Sequence, residues 1–190
     1  VSKPASIPEY RTTGTREVYR SRWMSLREDA IVRADGTAGI YGVLEKPDFA
    51  IIIPRHDDGS FTLVEQYRYP VGERCLEFPQ GADEQNPALD PLELARKELA
   101  EETGLRASSV TLLGQLHHAY GYSNQGMSIV LATGLTQGET ERESEEQGMT
   151  VVRVAEGVAA EMIRDGRIRD ESSVAAYGML LLHHNAAPSE

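Results

Sequence analysis

Three glutamates, Glu98, Glu101 and Glu102, stand close together in "KELAEETGL" (97–105). On a helix that advances about 100° per residue, Glu98 and Glu102 lie about 40° apart, with Glu101 on the far side of Glu98. The spacing gathers two or three carboxylates near one point. Like charges four residues apart slightly destabilise a helix, and a bound hard cation turns that cost into a gain. Carboxylate oxygens together with a substrate phosphate are the ligand set Mg2+ prefers, so the chemistry on offer is metal-assisted attack at phosphorus. The plain alternative is the solvated face of an ordinary helix, and the glutamates alone leave both open.

The elements around them narrow the choice. Asp90 is a good N-cap, Pro91 suits the first helical position and Glu93 sits at N3. Gly104 is placed as the residue that ends a helix, so the pattern predicts a helix over about 91–103. Leu92, Ala95 and Leu99 form its apolar face. A strand and a Pro-Gln-Gly turn in "LEFPQG" (76–81) precede it, and such a turn brings backbone carbonyls close to a ligand. Lys97 lies beside the cluster and is placed to orient or neutralise it.

Residues 1–15 are polar and contain Pro4 and Pro8, which predicts a loose arm. Arg16 to Glu45 is strand-like, with a hairpin turn at "ADGT" (34–37). Further strands are expected at 49–55, at 61–69 as the partner of 49–55, and at 110–120, 127–135 and 150–154. Two helices close the chain, the first stopping at Gly166. Strands between helices predict an α/β (α+β) fold, a mixed sheet covered by helices, with a small antiparallel N-terminal sheet.

The 190 residues suit one domain with an extra terminal piece. No apolar run approaches the roughly 20 residues of a membrane helix. The start "VSKPASIPEY" lacks the apolar core of a signal peptide, and the lone Cys75 has no internal disulfide partner, so a reducing cytoplasm is expected. The net charge of −11 disfavours nucleic-acid polymers and anionic membranes, but not a small phosphate ligand accompanied by a cation.

"KELAEETGL", preceded by a loop opening at Gly81, resembles the Nudix box: Gly, five residues, Glu, seven residues, then Arg-Glu-aliphatic-x-Glu-Glu-x-Gly-aliphatic. Glu98, Leu99, Glu101, Glu102, Gly104 and Leu105 match. "FTLVEQYRYPVGERCLEFPQG", the N-terminal sheet and the closing helices resemble the ADP-ribose and nucleoside-diphosphate-sugar pyrophosphatases, over about residues 16–185. The resemblance implies a Nudix α/β/α sandwich, with an N-terminal arm and sheet over 1–45 and the hydrolase domain over 46–190. It implies Mg2+, with Mn2+ as a substitute, held by Glu98 and Glu102 with Glu101 in support and the Gln80 carbonyl as a backbone ligand. It also implies a homodimer built through the N-terminal sheets.

By the same resemblance Arg68 contacts substrate, and the general base comes from the acidic loop "ERESEEQG" (141–148), as Glu145 or Glu146, with Gln147 in the base position of an ungapped alignment. Trp23 and Tyr41 are candidates to stack on a base, and Cys75 is expected in the core. Three departures stand out. Lys97 replaces the family arginine and lacks its planar fork. The loop from Gly81 to Lys97 is two residues longer than the pattern, which leaves Leu89 where the first glutamate belongs. Tyr120 and Gly121 replace a proline common in ADP-ribose enzymes; tyrosines there occur in diadenosine-polyphosphate hydrolases. Three functions therefore remain in play: a nucleoside-diphosphate-sugar pyrophosphatase, a dinucleoside-polyphosphate hydrolase, and a nucleotide-binding or regulatory protein that has lost turnover.

Overall fold

The structure, a computed structural model, describes residues 9–139 and 148–186. In chain order the elements are β1 (Tyr10–Arg20), β2 (Ser25–Arg33), β3 (Ala38–Glu45), β4 (Phe49–Pro54), β5 (Phe61–Arg68), β6 (Glu73–Glu77) and β7 (Gln80–Gly81). There follow α1 (Pro91–Thr103), β8 (Leu105–His117), β9 (Gly126–Gln137), β10 (Thr150–Val154), α2 (Glu156–Arg164) and α3 (Glu171–Ala186). They fall into two compact units: residues 9–47 with 117–125, and residues 48–116 with 126–139 and 148–186.

The first unit carries an antiparallel sheet in the order β1-β2-β3. Its β2–β3 hairpin closes at the expected turn, where Gly36 has a φ of 84° and Asp35 accepts the backbone N–H of Thr37. The loose arm expected through residue 15 is corrected, because Tyr10–Thr15 is the first half of β1 and pairs with Asp29–Arg33. Threonines at 12, 13 and 15 favour extended backbone, and the exposed edge of β2 supplies the ladder. A register shift between Thr12 and Gly14 leaves Thr13 as the extra residue, while Gly14 pairs with Ala30.

The second unit holds a mixed sheet in the order β7-β4-β9-β8 and an antiparallel sheet β10-β5-β6. Strands β4 and β9 run parallel, from Phe49 opposite Met127 to Pro54 opposite Ala132. Every residue of β4 is buried, as expected of a strand covered on both faces. Its alternating side chains serve two cores. Ala50 and Ile52 join Val130 and Ala132 against Leu94, Ala95 and Leu99 of α1. Ile51 and Ile53 join Ile129 against Phe61, Phe78, Ala159 of α2, and Ala176 and Leu180 of α3. The helix–sheet–helix sandwich is thus written in the period of two along β4.

The pairing expected between residues 49–55 and 61–69 does not form beyond a single bridge between Arg55 and Phe61. Strand β5 pairs instead with β10 and β6. Both edges of β4 are already taken by β7 and β9, and the Asp57–Ser60 turn sends β5 into the other sheet. In that turn Gly59 has a φ of 81° and Asp58 accepts the Ser60 N–H at 3.0 Å. Cys75 is half-buried on β6 rather than a core residue, and burial pushes its thiol pKa up. Among the described residues no helix is long and apolar enough to cross a membrane.

Candidate active site

The glutamate helix forms with the predicted bounds. Asp90 Oδ1 accepts the Leu92 N–H at 2.9 Å and the Glu93 N–H at 3.3 Å, and Gly104 ends the helix with a left-handed φ of 73°. Glu98 and Glu102 are not on a wet face: they are only 6% and 3% exposed. Glu102 Oε2 accepts the backbone N–H of Gln80 at 3.2 Å. The Glu98 carboxylate lies against the Cα of Gly81, where an added Cβ would come within 2.6 Å of its Cδ. Glycine at 81 leaves space for the Glu98 carboxylate and meets no need for an unusual backbone angle. Residues 80 and 81 are anchored in turn, because β7 pairs with β4 through Ile51 opposite Gln80 and Ala50 opposite Gly81.

Lys97 ties the loop before α1 to the helix. Its Nζ donates to Asp83 Oδ2 at 2.9 Å and lies 4.0 Å from Glu101 Oε1. Asp83 Oδ1 accepts the N–H groups of Gln85 at 3.0 Å and Asn86 at 2.8 Å, so one carboxylate organises the loop and fastens it to α1. The Lys97 hydrogen bond holds the Asp83 carboxyl below its ordinary pKa. Burial pulls the Lys97 pKa down, but Asp83 and Glu101 leave it raised overall. Leu89 packs against the α1 side of the core. An apolar anchor thus stands at 89, and Asp83 is the loop acid that pairs with Lys97.

A depressed carboxyl stabilises the fold above its unfolded pKa and loses that contribution as pH falls through its folded pKa. Asp83→Asn is therefore expected to cost about 1 kcal/mol at pH 7, the scale of a partly exposed pair. The gap from wild type should close as pH falls below the ordinary carboxylate value of 3.8. Urea unfolding at pH 7 and pH 3 reads this, and an equal gap at both pH values would refute it.

A second cluster surrounds Arg68. Its guanidinium donates from Nη2 to Glu77 Oε1 at 2.6 Å and from Nε to Glu77 Oε2 at 3.2 Å. Burial pushes the Glu77 carboxyl up, opposed by Arg68 and by the Gln66 amide. The Arg68 side chain is partly exposed, and with Nε and Nη2 facing Glu77 the Nη1 protons are left for another acceptor.

The structure thus brings Glu98, Glu102 and Gln80 together and sets Glu101 beside them on the Lys97 side. Among the described residues, no three acidic, histidine or cysteine side chains surround one point. Two buried carboxylates on adjacent turns, beside a fixed strand, nevertheless suit a hard divalent cation that takes its remaining ligands from water and phosphate. Trp23, Tyr41 and Tyr120 belong to the first unit. The Arg22 guanidinium lies 4.5 Å from the Trp23 ring centroid, and Trp23 sits in the turn between β1 and β2 rather than in the sheet. Tyr41 donates its hydroxyl to the Gly121 carbonyl at 3.0 Å, and Tyr120 is 82% exposed. Glu145, Glu146 and Gln147 lie outside the described residues.

Asp83, Glu77 and Asp170 are absent from the sequence-based set. Glu77 had a legible signal, an acidic residue in a strand whose next residue, Phe78, belongs to the core. Asp170 had another, an aspartate three residues before Ser173 at the start of a helix.

Residues 45–172 match the model of the NUDIX domain, and residues 10–44 match that of the nucleoside diphosphate sugar hydrolase N-terminal domain. The chain belongs to the Nudix family. Among Nudix relatives, an ADP-ribose pyrophosphatase of Mycobacterium tuberculosis is 32% identical over 92% of this chain and 84% of its own length. A methanol dehydrogenase activator of Bacillus methanolicus is 25% identical over 92% of this chain and 94% of its own. A solved structure, an ADP compounds hydrolase, superposes with a TM-score of 0.82 at 23% identity and covers 97% of this chain and 100% of that one. It establishes the fold. Nudix hydrolases generally use a divalent metal, and the Glu98–Glu102 pair is a donor set of the right kind.

Proposed function

We propose that this Nudix protein hydrolyses the pyrophosphate bond of ADP-ribose or a related nucleoside diphosphate sugar with Mg2+, or Mn2+ in its place. The products are a nucleoside monophosphate and a sugar phosphate. The observation that carries the reading is the buried Glu98–Glu102 pair held against Gln80 and Gly81. The names of the Mycobacterium tuberculosis relative and of a Bacillus subtilis ADP-ribose pyrophosphatase, 23% identical over 92% of this chain, support the substrate class.

In this reading Glu98 and Glu102 hold the metal, with the Gln80 carbonyl as a backbone ligand and Glu101 in support. When bound, the metal neutralises the phosphate oxygens that would otherwise repel a nucleophile. Arg68, oriented by Glu77, offers its outward N–H groups to the diphosphate. Glu145 and Glu146 stand as the base candidates on sequence resemblance. Trp23, Tyr41 and Tyr120 stand as candidates for base stacking. The exposed Tyr10, Tyr19, Ile40 and Tyr41 of the first unit support a homodimer, and a monomer in sedimentation would refute it. The lone Cys75 supports a reducing, cytoplasmic setting.

The deciding experiment incubates the protein with Mg2+ and ADP-ribose, nucleotide sugars or diadenosine polyphosphates, with and without chelator, and follows products by chromatography. AMP and ribose phosphate formed only without chelator are the expected products. Cleavage of diadenosine polyphosphates alone would transfer the assignment to that class. Binding of every nucleotide without product would replace hydrolysis by a regulatory role.

A further inference from the structure

A continuous chain of hydrogen bonds links Arg68 on β5 to Glu102 on α1, and Gln80 is its middle member. Glu77 is 2% exposed and accepts four N–H bonds. Oε1 takes Arg68 Nη2 at 2.6 Å and Gln66 Nε2 at 2.7 Å. Oε2 takes Arg68 Nε at 3.2 Å and Gln80 Nε2 at 3.3 Å. The same Gln80 nitrogen donates to Asp170 Oδ2 at 3.2 Å. Both partners are carboxylates, so they fix which end of the amide is nitrogen, and both its protons are used.

Each anchor is itself held. Asp170 Oδ2 accepts the Ser173 N–H at 2.8 Å and its hydroxyl at 2.7 Å, capping α3, and Ser173 Oγ accepts the Phe78 N–H at 2.8 Å. The Gln80 side chain is therefore gripped from β6 and from the start of α3. Its backbone N–H, at 3.2 Å from Glu102 Oε2, holds the glutamate.

We propose that the Gln80 side chain is a positioning residue that couples Arg68 to Glu102, so that one amide sets both the phosphate-facing arginine and the metal-facing glutamate. The proposal rests on the reading of Glu98 and Glu102 as metal ligands. Removing the amide leaves Glu77 and Asp170 as like charges that have each lost a donor, at a site with little water to replace it. The segment 78–81 loses its side-chain anchor and keeps its pairing with β4 and the Phe78 N–H bond to Ser173, so the N–H on Glu102 shifts by the amount those bonds allow. At the other end, Glu77 no longer has a full set of donors holding it in place, and the arginine fork turns with it.

The test measures Mn2+ affinity by calorimetry on the protein without nucleotide. The proteins are wild type, Gln80→Ala, Arg68→Lys and the double variant. Loss of an outer partner typically weakens a metal about tenfold or more, and that is expected for Gln80→Ala. Lysine cannot make the forked contact to Glu77, so Arg68→Lys is expected to weaken Mn2+ about threefold when Gln80 is present. It should have no further effect on the Gln80→Ala background, the signature of a shared path.

Additive effects, or Mn2+ affinity within about twofold of wild type in Gln80→Ala, would overturn the coupling. A lowered Tm alone would assign Gln80 a purely structural role and also overturn it. Should Gln80→Ala not fold, Gln80→Asn falls one methylene short of its two carboxylates and is expected to give the same pattern. No nucleotide enters the measurement. The expected pattern in a protein that leaves ADP-ribose intact would thus sink the substrate and support the coupling. A wild type that binds no Mn2+ would sink both.

Discussion

Glu102→Gln is expected to lower turnover about 10³-fold or more while the protein remains folded. The figure corresponds to about 4 kcal/mol of lost transition-state stabilisation, the scale a metal ion supplies to phosphoryl chemistry. Glutamine nearly matches glutamate in shape, and its amide oxygen can still accept the Gln80 N–H now 3.2 Å away. What it removes is a negative charge at a site 3% exposed, beside the second buried carboxylate of Glu98. For the metal-free protein that loss relieves a repulsion, so Tm should stay level or rise while Mn2+ affinity falls. Opposite signs for stability and metal affinity separate a ligand from a packing residue. Glu101→Gln should do less, about tenfold, because Glu101 sits on the Lys97 side and is more exposed. Steady-state kinetics, calorimetry and thermal unfolding read all three, and a Glu102→Gln enzyme retaining a tenth of wild-type turnover would remove Glu102 from the metal site.

The helix and its glutamates were legible because every cue was local. Asp90, Pro91 and Gly104 mark the ends, and a period of 3.6 places Glu98 and Glu102 on one face. That this face is buried was not legible, since it depends on β7 lying beside α1, and β7 is two residues long. The mixed sheet was readable as a class from its strand and helix alternation, but the partner of β5 was not. Pairing depends on which edges of β4 are filled from elsewhere, and β7 and β9 lie 29 or more residues away in sequence from the β4 residues they meet. The departures at Leu89 and Lys97 read as losses when set against a fixed pattern. In three dimensions the loop brings Asp83 to the lysine, while Leu89 packs against the core. Arg68 shows the reverse limit: its type suggested a phosphate contact, while only the fold shows that Glu77 holds it through two N–H bonds.

Gly81→Ala isolates geometry from charge. The substitution adds one methyl group and removes no donor, acceptor or ion pair. Gly81 takes no left-handed φ, so alanine meets no backbone penalty there. Its Cβ would nonetheless lie 2.6 Å from Glu98 Cδ, inside any tolerable contact. Retreat of strand β7 is resisted, because Ala50 and Ile51 of the central strand hold it in register. The Glu98 carboxylate, at the end of a flexible side chain, is the part that yields. Insertion of a methyl into a packed site typically costs about 1–3 kcal/mol, and a movable neighbour puts this case at the low end. The chemical effect is larger, since a displacement near 1 Å in a reacting constellation is worth about 10²-fold in rate. The expected result is a protein with a Tm only slightly lowered, Mn2+ affinity clearly weakened and turnover reduced about 10²-fold. Restoring space from the other side tests the cause: Glu98→Asp shortens the side chain by one methylene. In the Gly81→Ala background it should lower turnover far less than it does alone. If the two losses simply add, the contact between residues 81 and 98 is not what limits the site.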